Sequence, residues 1–277
     1  MCERDSNDDI LRGNELTRRR FGALGLGAGL AAMLPPVAGA AEVSESEVEI
    51  KTPDGTCDAH FVHPANATAA VLVWPDIFGL RPAFRTMGKR LAESGYAVLT
   101  VNPFYRSLKG APADREAAFA TARNLNPTTH VTDARAFVAW LDAQKAVDTR
   151  RKIGTTGYCM GGPIVMRTAA TVPDRIGAGC SFHGGGLNTN DENSPHLLIP
   201  KMKASFLIAI AENDDASNPT SKDILRKAFD DAKVPAEIEV YKGANHGWCA
   251  IDSKAYNQEQ AERAWQRKLA LFAKALA

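Results

Sequence analysis

The chain has 277 residues, of which 45% are hydrophobic, 23% charged and 7% aromatic, enough apolar material for one sizeable core. Its 33 basic and 32 acidic side chains leave a net charge of +1, so there is no general electrostatic pull toward nucleic acid or an anionic membrane. With only 22 Gly, 15 Pro and 5 Cys, the collagen-like, disordered and disulfide-scaffold classes are excluded too.

In chain order, Thr17-Arg18-Arg19-Arg20-Phe21 comes first, followed by an uncharged run of Gly, Ala, Leu and Met from Gly22 to Leu34. Pro35 to Ala40 then supplies small residues of the kind a signal peptidase reads. The run is short of the about 20 apolar residues that span a bilayer, so it predicts no stable membrane anchor. The [Ser/Thr]-Arg-Arg-x-Phe pattern resembles a twin-arginine export signal. Residues 1–40 are therefore expected to be a leader that engages the twin-arginine machinery and is cut near Ala40, which implies a periplasmic or secreted protein. Residues 41–277 are expected to form a single domain. Cys57, Cys159, Cys180 and Cys249 would then meet an oxidising compartment, where an even count invites a disulfide reading.

After the leader, residues 46–51 and 58–63 read as two strands about the turn Pro53-Asp54-Gly55. Short apolar runs at 71–74, 96–101, 153–156, 176–180 and 206–210 read as buried parallel strands. The segment 236–241 alternates, setting Ile238 and Val240 against Glu237 and Glu239. Helical stretches fall between the strands, at 82–94, 114–124, 129–144, 162–171, 219–232 and from 255 to the C-terminus. In the last of these, Ala261, Trp265, Leu269 and Phe272 make an apolar stripe that predicts core packing. Strands alternating with helices predict a mostly parallel sheet covered on both faces. An antiparallel start followed by βα units is the α/β-hydrolase arrangement.

The most specific chemical signal is Gly157-Tyr158-Cys159-Met160-Gly161-Gly162, which ends one predicted strand and opens a predicted helix. It matches the nucleophile elbow G-x-S-x-G with Cys in place of Ser. A helix N-terminus behind the thiol favours the reactive thiolate. An elbow requires an acid and then a histidine later in the chain. Ala211-Glu212-Asn213-Asp214-Asp215 follows one strand, and Gly243-Ala244-Asn245-His246-Gly247-Trp248 follows the next. His246 is the expected base. Asp214 is preferred over Asp215 on its distance from the strand end, with the choice left open. The loop Pro75-Asp76-Ile77-Phe78-Gly79-Leu80 would place its Ile77 amide with that of Met160 as an oxyanion hole. His60 and His63, three apart in a strand, point to opposite faces and predict no shared metal. His130 is assigned to a helix first turn, His196 to a loop, and His183 to a satisfied structural role. No zinc, phosphate-loop or dinucleotide pattern occurs, so no cofactor is expected.

These segments, together with Asn102-Pro103-Phe104-Tyr105-Arg106, resemble the dienelactone hydrolase family in identity and order over most of 46–277. The resemblance implies a single-domain α/β-hydrolase that cleaves a small ester or lactone through Cys159, Asp214 and His246. Asp76 stands where the family has a Glu that helps convert the thiol to thiolate, so the resemblance implies a nucleophile-activating role for it. Family members also hold a substrate carboxylate with basic residues, one of them near the catalytic histidine. Here the residue four past His246 is Ala250. Tyr105, Arg106 and Trp248 are the expected substrate contacts. A broad-specificity carboxylesterase, or a binding or redox protein on the same fold, are the alternatives.

Overall fold

The computed structural model describes residues 26–277, with side chains from residue 29 onward. The expected twin-arginine sequence at 17–21 lies outside the described residues. Eight strands form one sheet. The strands β1 (Val43–Thr52) and β2 (Gly55–Pro64) make the expected hairpin, with Thr52 opposite Gly55 and Ile50 opposite Cys57. Next, β2 runs antiparallel to β4 (Ala97–Val101), and every later pairing is parallel. The remaining strands are β3 (Ala70–Trp74), β5 (Ile153–Tyr158), β6 (Ile176–Phe182), β7 (Ser205–Ala211) and β8 (Ala236–Tyr241). Their order across the sheet is β1-β2-β4-β3-β5-β6-β7-β8. This is the α/β-hydrolase fold.

The helices are α1 (Leu26–Ala31), α2 (Pro82–Glu93), α3 (Arg115–Ala122), α4 (Pro127–Asp142), α5 (Gly161–Thr171), α6 (Glu212–Ser217), α7 (Ser221–Asp231) and α8 (Gln258–Ala275). Successive strand residues point to opposite faces, and the core divides accordingly. Leu72 and Trp74 of β3 pack in one cluster with Phe137 of α4, Ile164 of α5 and Phe229 of α7. Val71 and Val73 pack in the other, with Phe84 of α2 and Trp265 and Phe272 of α8. Every residue of β3, β4 and β5 is buried, which explains why they read as continuous apolar or small-residue runs. The edge strand β8 is half-exposed along most of its length. Its Glu239 pairs with Arg263 of α8 at 2.5 Å, and Glu237 pairs with Arg267.

Several elements differ from expectation. The helix α4 begins at Pro127, two residues early, because Asn126 caps it reciprocally with Thr129 and proline suits the first turn. The short α6 and the 3-10 turn Pro195–Lys201 lack the apolar period that would have marked them. The apolar end of the expected leader is seated on the domain. Leu30 packs against Ala83 and Ile251, with Leu34, Met87 and Tyr256 around them, and the Ala41 amide donates to the Glu93 carbonyl at 2.9 Å. Among the described residues no helix is long and apolar enough to cross a membrane.

The stripe on α8 packs as expected, but it carries a charge into the core. Lys268 is 2% exposed, its Nζ lies 4.1 Å from the Trp265 ring centroid, and it donates to Tyr158 Oη at 3.3 Å. Burial pushes its pKa from 10.5 down to about 8. Between those values the unfolded chain holds a proton that the folded chain has released, so this group makes stability rise with pH across that window. We expect Lys268→Met to leave stability at pH 7 unchanged or raise it by about 1 kcal/mol, since a buried charge is replaced by packing of similar volume. It should also flatten the stability curve between pH 8 and 10. Urea denaturation at pH 7 and 9.5 measures both. A large loss at pH 7 would show that the ammonium is required in the fold.

Candidate active site

The segment Gly157–Gly162 carries the chain from β5 into α5, with only Cys159 and Met160 between the two elements. Cys159 has φ +52°, a left-handed conformation that costs a non-glycine residue about 1–2 kcal/mol. Its amide donates to the Phe182 carbonyl at 3.0 Å, and its own carbonyl accepts from the Gly162 amide at 3.0 Å. The flanking glycines are there for space. A Cβ on Gly157 would lie 2.2 Å from the Gly161 carbonyl oxygen, and one on Gly161 would lie 2.4 Å from that of Trp74. The elbow therefore presses directly on the loop that follows β3. The thiol is half-buried at the N-terminus of α5, where the helix dipole favours an anion.

The ends of β7 and β8 supply the partners. His246 Nδ1 lies 2.7 Å from Asp214 Oδ2, while Asp215 is drawn away to Lys222 Nζ at 2.6 Å. The His246 loop is held by the segment that carries Asp214. The His246 amide donates to Asn213 Oδ1 at 2.8 Å, the Gly243 amide to Glu212 Oε2 at 3.1 Å, and the Glu212 amide to the Ala244 carbonyl at 2.8 Å. His246 shares one cavity with Cys159, whose sulfur acts on it electrostatically. Burial alone would push its pKa down. The Cys159 sulfur and the Asp214 carboxylate more than reverse that, and its pKa is raised well above the ordinary value. The arrangement can therefore hold a cationic imidazole beside the Cys159 sulfur.

Cys159, Asp214 and His246 line a cavity of about 620 Å³ together with Ile77 and Met160. That volume suits a small organic ligand. Among the described residues neither the Ile77 nor the Met160 amide donates to a protein acceptor. Phe119, Leu125, Pro163, Leu187 and Leu225 form an apolar part of the wall, and Asn213, Asp215, Ser217, Asn218 and Ser221 a polar part. Two further lining residues had no motif to mark them. His130 is buried with both ring nitrogens unpartnered, and burial pushes its pKa down to about 3. Arg123, just past α3, is exposed.

Four sequence expectations are corrected. Asp76 does not line the cavity. Its oxygens accept from Arg81 Nη1 and Nη2 at 2.6 and 2.9 Å, and from the Phe78 amide at 2.9 Å, so the carboxylate fixes its own loop. Tyr105 and Arg106 also lie off the cavity. Tyr105 donates to Asp133 at 2.7 Å, and Arg106 is shared between Asp133 and Asp54. Trp248 is fully buried, stacked on Tyr241 at 5.2 Å between ring centroids, and cannot touch a ligand in the cavity. His183 lacks the satisfied structural role assigned to it, since neither ring nitrogen has a partner. The four described cysteines are unbridged.

If the elbow depends on close approach to the Trp74 loop, Gly161→Ala should be costly, because both nearest obstacles are backbone carbonyl oxygens. We expect a loss of about 1–3 kcal/mol in thermal unfolding. Unchanged unfolding would contradict the contact.

Comparison with known proteins places this geometry in a family. The model of the dienelactone hydrolase family matches residues 57–276. A carboxymethylenebutenolidase of Rhodococcus opacus is 27% identical over 228 residues, covering 80% of this chain and 88% of that one. Carboxymethylenebutenolidase 2 of Cupriavidus pinatubonensis is 29% identical over 199 residues, covering 71% and 80%. A Klebsiella pneumoniae crystal structure with a dienelactone hydrolase designation superposes with a TM-score of 0.74 at 27% identity, covering 84% of this chain and 99% of that one. The dienelactone hydrolase of Anabaena variabilis, at 17% identity and a TM-score of 0.62, shares the fold over 85% and 99% of the two chains. With the family match running through the elbow, the acid and the histidine on an eight-stranded α/β-hydrolase sheet, this chain belongs to the dienelactone hydrolase family.

Proposed function

We propose that the protein hydrolyses a small ester or lactone through a thioester on Cys159. The observation that carries the reading is His246, held by Asp214 at 2.7 Å and lining one cavity with Cys159 of the elbow. His246 takes the thiol proton on the ring nitrogen that Asp214 does not occupy. The thiolate attacks the carbonyl carbon, and the new oxyanion is met by the Ile77 and Met160 amides. As the intermediate collapses, the ester or lactone C–O bond breaks and His246 returns its proton to the leaving oxygen. Water then attacks the thioester with His246 as base, and the acid leaves as the Cys159–carbonyl bond breaks. In this reading Asp76 acts through Arg81 on the loop that carries Ile77, and a direct proton relay to Cys159 is not required.

The buried thiols are poor competitors for this role. Burial pushes the Cys57 and Cys249 pKa values up, and that of Cys180 to about 12. Cys159→Ala and His246→Ala should each lower kcat for p-nitrophenyl acetate by about a thousandfold or more. Rates equal to wild type in either would overturn the proposal.

A carboxymethylenebutenolide, the lactone in the relatives' name, carries a carboxylate. Arg123 is the only Lys or Arg among the described residues that line the cavity, and it makes no ion pair with another described residue. We assign it to such a group in place of Tyr105 and Arg106. Arg123→Gln should raise KM for an anionic lactone about tenfold and leave a neutral ester unaffected, because one charge-assisted hydrogen bond is lost. Steady-state kinetics with both substrates measures the contrast. Export through the twin-arginine route remains part of the proposal and rests on Thr17–Phe21.

A further inference from the structure

His183 combines two costly features at one point beside the site. It follows β6 in a left-handed conformation, φ +41°, which only glycine adopts freely. It is also 1% exposed with Nδ1 and Nε2 both unpartnered, although buried polar groups are ordinarily hydrogen-bonded. Its amide donates to the Ala209 carbonyl at 2.8 Å, so β7 fixes the backbone there. The ring then faces three others. Its centroid lies 4.9 Å from that of His246 with 59° between planes, 5.1 Å from that of Trp248, and 6.1 Å from that of Tyr158. Of these neighbours Trp248 does not ionise, and burial pushes the Tyr158 pKa far up, so that its hydroxyl stays neutral. His246, bonded to Asp214 and acted on by the Cys159 sulfur, is the charge acting on His183. Tyr158 in turn separates His183 from the ammonium of Lys268.

We propose that His183 is a positioning residue for His246: its uncharged ring supplies the π-face that holds the imidazolium in place once the thiol proton has been taken up. The inference rests on the reading of His246 as the catalytic base. Burial and the charge on His246 both push the His183 pKa well down, so His183 stays neutral while its neighbour is cationic. A separation of 4.9 Å with the rings tilted by 59° lies inside the ~6 Å over which an aromatic face attracts a cation, and both rings are buried, which lessens screening of that attraction. A hydrogen-bonding residue here would compete with Asp214 for the His246 ring. A neutral ring supports the cation without offering it another acceptor in the plane of Nδ1.

The test is the ring-nitrogen NMR titration of His246 in the full chain, with the signal assigned by its loss in His246→Gln. The variants are His183→Leu, which removes the ring, and His183→Phe, which keeps a π-face and removes both nitrogens. Because Leu strains at positive φ, His183→Asn serves as a second ringless variant. We expect the His246 midpoint to fall by about half a pH unit in the ringless variants. The rate of Cys159 alkylation by iodoacetamide near neutral pH should fall about threefold with it. His183→Phe should restore both to wild type. A midpoint unchanged in the ringless variants, or lowered equally in His183→Phe, overturns the proposal. If instead His246→Ala keeps wild-type hydrolysis, the underlying reading of the site fails, and that result is separate from the titration.

Discussion

Everything at the site is placed by the turn that forces Cys159 to φ +52°. The strain is about 1–2 kcal/mol, small against the burial of β5 and α5, where each buried Ile or Val side chain contributes about 1.5–3 kcal/mol. Ile153, Ile164, Val165 and Met166 on these two elements are all fully buried. The turn therefore persists because the layers on either side leave the chain no other route between them. Its neighbours are set by contact. The Trp74 carbonyl closes on Gly161, and the Phe182 carbonyl receives the Cys159 amide. One side of the elbow thus meets the Ile77 loop and the other meets the end of β6, where His183 begins.

Parallel register supplies the remaining groups. The strands β5, β6, β7 and β8 run the same way, so their C-terminal ends open on one edge, and each loop there carries a residue of the site. The loop after β8 is too long to hold His246 by itself. It is clamped by Glu212 and Asn213, which flank β7 and sit next to Asp214 in the chain. The acid's own segment thereby fixes both the imidazole and the backbone beneath it. This coupling explains why Asp214 meets His246 while Asp215, one residue further into α6, turns to Lys222.

The legible parts of the sequence were those with a period or a local rule. Buried strands such as Ala70–Trp74 announced themselves as apolar runs, and the elbow as glycines at fixed offsets. The order of acid and histidine followed from the loops after two such strands. Partners distant in sequence were hidden. Asp76 reads as a free loop carboxylate until Arg81 folds back on it, and Arg106 reads as a free cation until Asp54 and Asp133 meet it. Trp248 sits two residues from His246, yet its ring turns inward against Tyr241, because the loop reverses after Asn245. Arg123 and His130 had no motif at all; only the packing of α3 and α4 around the cavity brings them to it.

Arg81 joins the two halves of the site. Its guanidinium binds Asp76 on one edge and Asp252 on the other, at 2.6–2.9 Å, while lying 4.8 Å from the Phe84 ring centroid. Asp76 belongs to the loop that carries Ile77, and Asp252 to the segment that continues from His246 through Trp248 and Ile251. A buried cation with one buried and one partly buried carboxylate is a weak source of net stability, because desolvation consumes most of the attraction. Its geometry, however, is exacting: displacing either loop leaves a charge unpaired at a cost of several kcal/mol. The network therefore acts as a ruler between the proposed oxyanion loop and the histidine loop. Asp76 is accordingly spent on holding that distance, and in the proposed mechanism the proton of Cys159 is left to His246.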